Sequence, residues 1–420
     1  MYDLTWIIGG PYCHPLRFSR VNSVSAWRLS IDSFTDGRIR NSHGDIDELI
    51  DEVLAGCGQD LPHATTLPAA TYTSRAFFDL EVKKIFRREW LPVGHIAQIP
   101  NVGDYFTIDI LNDPLVVVRG HDRIRVMSRV CLHRWVPVVS GAGNAKRFSC
   151  PFHRWAYGLD GQLVAAPLME QAEEFDIRAC KLPEIRSEIV NGTIFITFSP
   201  TAPAIGETLV ELVEAMAPYR PSELILGFSV EFELDFNWKI VVETFMEAYH
   251  HIGAHAKTLE PLYPAALHWV DDTKQGWTAG HGYLKPGLPT PAGNRSGLPE
   301  FARLTEDQRR RSLCLVVYPT NTMFVSVDKI TWTSVIPVAP DKTKWIRHIL
   351  VLPEARDLPN FTELIADLRT RGLAVNQEDI AVNRLQQLGA ASSFAQPGRL
   401  CHLEKPVWQL ADYIRDRIRA

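Results

Sequence analysis

Two short segments each pair a cysteine with a histidine: Cys131-Leu132-His133 and, further on, Cys150-Pro151-Phe152-His153. Thiolates and imidazoles both bind metals, and two of each complete a four-donor set. One chemistry for such a set is a structural zinc site. Zinc sites, however, more often pair Cys with Cys and His with His within a short segment. The other is a [2Fe–2S] cluster of mixed ligation, in which two Cys hold one iron and two His the other. That ligation raises the reduction potential above that of an all-Cys cluster. The mixed pairs fit the cluster, and so do Trp155, Tyr157, Gly158 and Gly161 in the run CPFHRWAYGLDG.

A second constellation lies at Glu247-Ala248-Tyr249-His250-His251-Ile252-Gly253-Ala254-His255. Glu247 and His250, three apart, share a face if the segment is helical. His250 and His255 are then roughly 140° apart around the axis. Both can reach one metal only if the helix ends or bends between them, and Gly253 eases such a break. His251 points off at about 100° from His250 and reads as a pocket-lining residue, with Thr244 and Phe245 as further candidates. Two His and one carboxylate form an iron site that leaves positions open for O2.

Together these motifs resemble the Rieske non-heme iron oxygenases, the α-subunits of ring-hydroxylating oxygenases. The resemblance runs from about residue 75 to 410. It includes Asn237-Trp238-Lys239, the Glu-x-Tyr-His block at Glu247, and the closing run GRLCHLEKPVWQLADYI. Its Glu-x-Tyr-His spacing is similar to that of carnitine and choline monooxygenase-like members. Trp135 stands where the family usually has Gly, and Thr244 where it usually has Asn.

The resemblance implies a third iron ligand in a late helix, where Gln377-Glu378-Asp379 matches, and it assigns Asp379. Helical periodicity alone does not separate Asp379 from Glu378, because both lie near the stripe of Val375, Val382 and Leu385. It further implies that Cys131, His133, Cys150 and His153 hold the [2Fe–2S] cluster, and that His250, His255 and Asp379 hold Fe(II). The resemblance also implies that Glu247 bridges His250 to His153 of a neighbouring protomer in a homotrimer, and that electrons originate on NAD(P)H. No G-x-G-x-x-G follows a strand here, so a separate reductase, with or without a ferredoxin, supplies them. The expected function is that of a terminal oxygenase acting with O2 on a small, largely apolar, aromatic substrate. Monooxygenation is favoured, as hydroxylation or oxidative N- or O-dealkylation. Aromatic cis-dihydroxylation is the alternative, and an electron-transfer protein without oxygenase activity the remote one.

The elements that must position these residues are legible in outline. The chain has 420 residues, 46% apolar and 22% charged, with a net charge of −5. This is an ordinary globular composition of roughly two to three domains. The mild acidity argues against nucleic-acid binding. No apolar run is long enough for a membrane span, and no signal-peptide pattern opens the chain. Beyond the two cluster cysteines, five scattered Cys suggest no disulfide framework. A cytoplasmic location is expected.

The expected fold class is α+β, an antiparallel β Rieske domain followed by a helix-grip-like α+β catalytic domain. The boundaries are an irregular extension over 1–60, holding a short helix at 45–56, and a helical lead-in over 61–91 that packs on the catalytic domain. The cluster domain covers 92–200 and the mononuclear-iron domain 201–420. Helices are expected at 239–250, 360–372 and 376–388, and strands in FSVEFELDFNW and KITWTSVIPVAP. Phe245, Trp277, Tyr283, Phe324 and Trp332 are candidate pocket aromatics.

Overall fold

A computed structural model describes residues 46–288 and 296–420; the expected extension up to residue 45 lies outside them. Alternating runs in the first half form a seven-stranded antiparallel sheet, in the order β1-β10-β9-β4-β3-β2-β5. Its strands are β1 (Leu91–His95), β2 (Asp104–Ile110), β3 (Asp113–Arg119), β4 (Ile124–Ser128), β5 (Ala142–Asn144), β9 (Glu184–Val190) and β10 (Thr193–Thr197). A small second sheet joins β6 (Phe148–Ser149), β7 (Ala156–Tyr157) and β8 (Leu163–Ala165). The run Leu115-Val116-Val117-Val118 is buried on both faces. Leu115 and Val117 enter the main core, while Val116 and Val118 face the layer that packs under Cys131 and Cys150. The β9–β10 hairpin turns on Asn191-Gly192, both at positive φ, which matches the twist of its strands.

The second half forms another seven-stranded antiparallel sheet. Its strands are β11 (Ile225–Leu234), β12 (His268–Val270), β13 (Trp277–Tyr283), β14 (Arg311–Val317), β15 (Asn321–Val325), β16 (Lys329–Ala339) and β17 (Lys342–Val351). Strands β12 to β17 run as a meander, and β11 returns beside β17. Two helices, Trp238–Met246 and Phe361–Ala390, lie against this sheet and each other.

Three expected elements differ. The helices foreseen at 360–372 and 376–388 are one helix of 30 residues. Gly372, at the end of the first foreseen segment, costs about 1 kcal/mol, and Leu368, Asn376, Ile380 and Asn383 bury the helix's inner face. The helix foreseen to residue 250 ends at Met246, and Glu247 is extended. The strand read to Trp238 stops at Leu234. Asn237 instead caps the next helix, its side chain accepting the Lys239 N–H at 2.9 Å.

The lead-in to the sheets is bound into the core. Helix Ile46–Ala55 inserts Leu49 and Val53 there, and Arg415 Nε donates to the Val53 carbonyl at 3.0 Å. The short helix expected at 45–56 is thus present as Ile46–Ala55. Helix Arg75–Glu81 is capped by Ser74, whose hydroxyl accepts the Phe77 N–H. It carries a buried carboxylate, Glu81, to the buried Lys239 ammonium at 2.7 Å.

Candidate active site

The two Cys–His segments are loops of like construction. The Cys131 carbonyl accepts the Trp135 N–H at 3.0 Å, and the Cys150 carbonyl accepts the Arg154 N–H at 3.1 Å. Each amide donor sits at φ 63, left-handed backbone that costs roughly 1–2 kcal/mol for a residue with a Cβ. Trp135 therefore takes up the turn that a Gly would take without strain, and its side chain lies 79% exposed. Cys131 and Cys150 are buried. His133 and His153 face each other with ring centroids 4.6 Å apart, and His133 stacks on Trp155 at 4.8 Å.

Two features fit a cluster between these loops. His133 Nδ1 is buried with no hydrogen-bond partner, a costly state unless another group occupies it. Tyr157 lies with its hydroxyl 3.3 Å from Cys131 Sγ and accepts the Leu132 N–H at 3.0 Å. Burial, then the neighbouring thiol, pushes its pKa well up, so it stays a neutral donor toward a thiolate. The thiol side is thus enclosed, while His153 lies at the surface.

The second constellation assembles from two elements. After Met246 the chain turns through a short 3-10 segment, Tyr249–Ile252, so helical face-sharing is not what joins Glu247 to His250. The hydrogen bond forms all the same: Glu247 Oε1 lies 2.7 Å from His250 Nδ1, and Oε2 accepts the His250 N–H at 3.1 Å. Gly253 has φ −101, open to any residue, so the break does not draw on glycine's freedom.

From the long helix, Asp379 Oδ1 lies 2.8 Å from His255 Nε2 and 3.6 Å from His250 Nε2. Glu378 takes the opposite side of the ring. Its Oε2 lies 2.7 Å from His255 Nδ1 and accepts the Thr258 hydroxyl at 2.7 Å. Both Nδ1 atoms are thus held by glutamates and both Nε2 atoms converge on one aspartate. The potential ligand atoms of His250, His255 and Asp379 all lie within 4.8 Å of one another. Carboxylates behind the imidazoles fix the tautomer that leaves Nε2 free for a metal. This donor set suits Fe(II) with positions left open.

His251 is buried and sends Nδ1 to the Tyr263 carbonyl at 3.1 Å. Burial, then the charge of His250, lowers its pKa to about 3, so it is a neutral wall residue. Thr244 and Phe245 line the same cavity of about 250 Å³, a size for a small molecule. Thr244 donates to Asn383 Oδ1 at 2.7 Å. Of the other aromatic candidates, Phe324 faces the cavity. Trp332 points to the opposite face of its strand and donates to Thr193. Trp277 lies in the second core, and Tyr283 bonds Asp307. Sequence reasoning missed Glu378 as a partner of His255, and it missed His268 and Arg347 as cavity residues.

Residues 89–180 match the Rieske [2Fe-2S] domain, and residues 223–420 match the ring hydroxylating alpha subunit (catalytic domain). The chain belongs to the Rieske non-heme iron oxygenases. The glycine betaine monooxygenase oxygenase subunit of Pseudomonas aeruginosa is 33% identical over 213 residues, 50% of this chain and 48% of that protein. The carnitine monooxygenase oxygenase subunit of Escherichia coli is 33% identical over 230 residues, 53% of this chain and 60% of that one. The chain thus spans about half the length of the curated relatives it matches. A solved quaternary ammonium Rieske monooxygenase shares the fold, with a TM-score of 0.74 at 24% identity, over 85% of this chain and 96% of that one. As in the family, the cofactors are a Rieske [2Fe–2S] cluster and a mononuclear iron. Among the described residues no helix is long and apolar enough to cross a membrane.

Glu378 gives this Rieske protein its first test. Glu378→Gln keeps the size of the side chain but weakens its hold on His255 Nδ1. Mononuclear iron affinity is expected to fall about 10–100-fold, read by iron titration, with the cluster absorbance unchanged.

Proposed function

We propose that this chain is the terminal oxygenase component of a Rieske system that monooxygenates a small quaternary ammonium compound. The observation that carries the reading is the His250, His255 and Asp379 donor set opening onto an aromatic-walled cavity. When bound, the cluster supplies electrons singly and the mononuclear iron supplies O2 activation. The chain's own part is to orient both imidazoles through Glu247 and Glu378, and to hold substrate in the cavity beside them.

The substrate expectation changes here. A largely apolar, aromatic substrate asks for an apolar wall, yet Arg347 and Lys329 both line this cavity. Phe236, Phe245, Tyr263, Trp269, Phe324 and Trp345 line it too, and aromatic faces attract a quaternary ammonium. The relatives named for glycine betaine and carnitine point the same way.

We further propose that Glu247 bridges His250 to the cluster-holding His153 of a neighbouring protomer in a homotrimer, with a reductase as electron donor. Support comes from the exposure of His153 and from two apolar surfaces. One comprises Leu132, Trp135 and Phe152 beside the cluster; the other comprises Tyr249, Ile252, Val382 and Leu385 beside the iron site. A head-to-tail contact between unlike patches forms a closed ring when its rotation closes.

The experiment combines metal analysis with turnover. We expect three irons and two acid-labile sulfides per chain. With NADH, a surrogate reductase and O2, a hydroxylated N-methyl carbon is expected to leave as formaldehyde, one per O2 consumed. Zinc in place of iron, or a cis-diol from an arene with no aldehyde from any ammonium compound, would sink the proposal.

A further inference from the structure

Strand β17 places Trp345 and Arg347 on the cavity side of its sheet, as the two-residue period of a strand requires. His348 and Leu350, on the opposite face, are buried. An arginine in a strand covered on both faces is uncommon without a partner. Among the described residues no carboxylate lies within ion-pair distance of Arg347. Its guanidinium donates to Asn376 Oδ1 and stacks over the Trp345 ring at 4.6 Å. Asp379 influences it, but Asp379 Oδ1 is occupied by His255 and His250. Lys329, the other cation of the cavity, is neutralised by Asp328 at 2.9 Å. Burial draws the Arg347 pKa down to about 10, still fully charged at neutral pH. Among the described residues, Arg347 is thus a cavity cation without an ion-pair partner, and its planar fork of donors suits bidentate binding of a carboxylate or sulfonate.

We propose that Arg347, held by Asn376, is the anchor for an anionic group on the substrate. The inference deepens the proposed function, since a quaternary ammonium acid presents both a cation for the aromatic walls and an anion for Arg347. The long helix sets the scale. Asn376 and Asp379 are three apart on one face, with Cβ atoms about 5–6 Å from each other. An anion seated at Arg347 thus leaves only a few bonds between itself and the carbon presented to the Asp379 side.

The test uses holoenzyme and two ligand pairs that differ by an anionic group: glycine betaine against choline, and benzoate against benzyl alcohol. Dissociation constants are measured for wild type, Arg347→Gln and Arg347→Lys. In at least one pair wild type is expected to favour the anion by about 100-fold, the usual scale for a buried, hydrogen-bonded charge pair. Arg347→Gln is expected to collapse that ratio toward one, and Arg347→Lys to restore part of it. The cluster spectrum reports that each variant has folded. Preference within the benzoate pair alone upholds the anchor and overturns the quaternary ammonium reading. Absence of an anion preference in both wild-type pairs overturns the anchor, even if Arg347→Gln fails to fold. So does a preference that survives Arg347→Gln.

Discussion

Asp379→Ala is expected to stop product formation while leaving the visible spectrum of the cluster as it is in wild type. Both histidine Nε2 atoms converge on this one carboxylate, at 2.8 and 3.6 Å. Its loss leaves two imidazoles, short of the three protein ligands that a facial iron site uses. The effect must exceed the roughly 10–100-fold of an outer-shell change, so Asp379→Ala must fall below Glu378→Gln in iron content and rate. The proposed cluster cysteines, Cys131 and Cys150, pack in a separate core with Val116, Phe148 and Trp155, which is why the cluster absorbance is the internal control. Iron analysis should find two irons per chain in place of three. If Asp379→Ala kept its mononuclear iron while Glu378→Ala lost it, the two acids would have exchanged roles.

How far the sequence revealed this site depends on the distance over which each constraint acts. Cys131, His133, Cys150 and His153 could be proposed as a set because each pair sits within one tight turn. The pairing of Glu247 with His250 was also local, although the helix that suggested it ends at Met246. Between Glu378 and Asp379, periodicity could not choose. In the structure the two flank one ring, Asp379 on Nε2 and Glu378 on Nδ1, a distinction fixed by where His255 sits 123 residues away in sequence. Arg347 left a signal that went unread, a charge set among the apolar residues of WIRHIL. The single helix across 361–390 shows the converse case. The sequence reads as two helices, 360–372 and 376–388, and burial of Leu368, Asn376 and Ile380 on either side of Gly372 keeps them one.

The Asn237-Trp238-Lys239 motif yields the largest stability prediction. Lys239 and Glu81 are both fully buried, 2.7 Å apart. Lys239 Nζ also donates to the Thr71 carbonyl at 3.0 Å, and Trp238 Nε1 donates to Glu81 Oε2 at 3.1 Å. The rings of Tyr72, Phe77 and Trp238 surround the ammonium at 5.0 to 5.5 Å. Burial raises the Glu81 pKa even against the pull of Lys239. Lys239→Met is therefore expected to cost roughly 3–5 kcal/mol, the scale for orphaning one member of a buried pair. Chemical denaturation monitored by fluorescence measures it.

The sign of its pH dependence follows from linkage. A carboxyl whose folded pKa lies above its unfolded value favours the fold at low pH, and that stability is lost as pH rises through the folded pKa. Lys239→Met should accordingly be less destabilised near pH 5 than near pH 8. The double variant Glu81→Leu/Lys239→Met should recover most of the loss, because well-packed apolar groups replace such pairs at little cost. Failure of the double variant to recover would mean that the Trp238 and Thr71 hydrogen bonds, rather than the charge pair, fasten the lead-in helix to the helix Trp238–Met246.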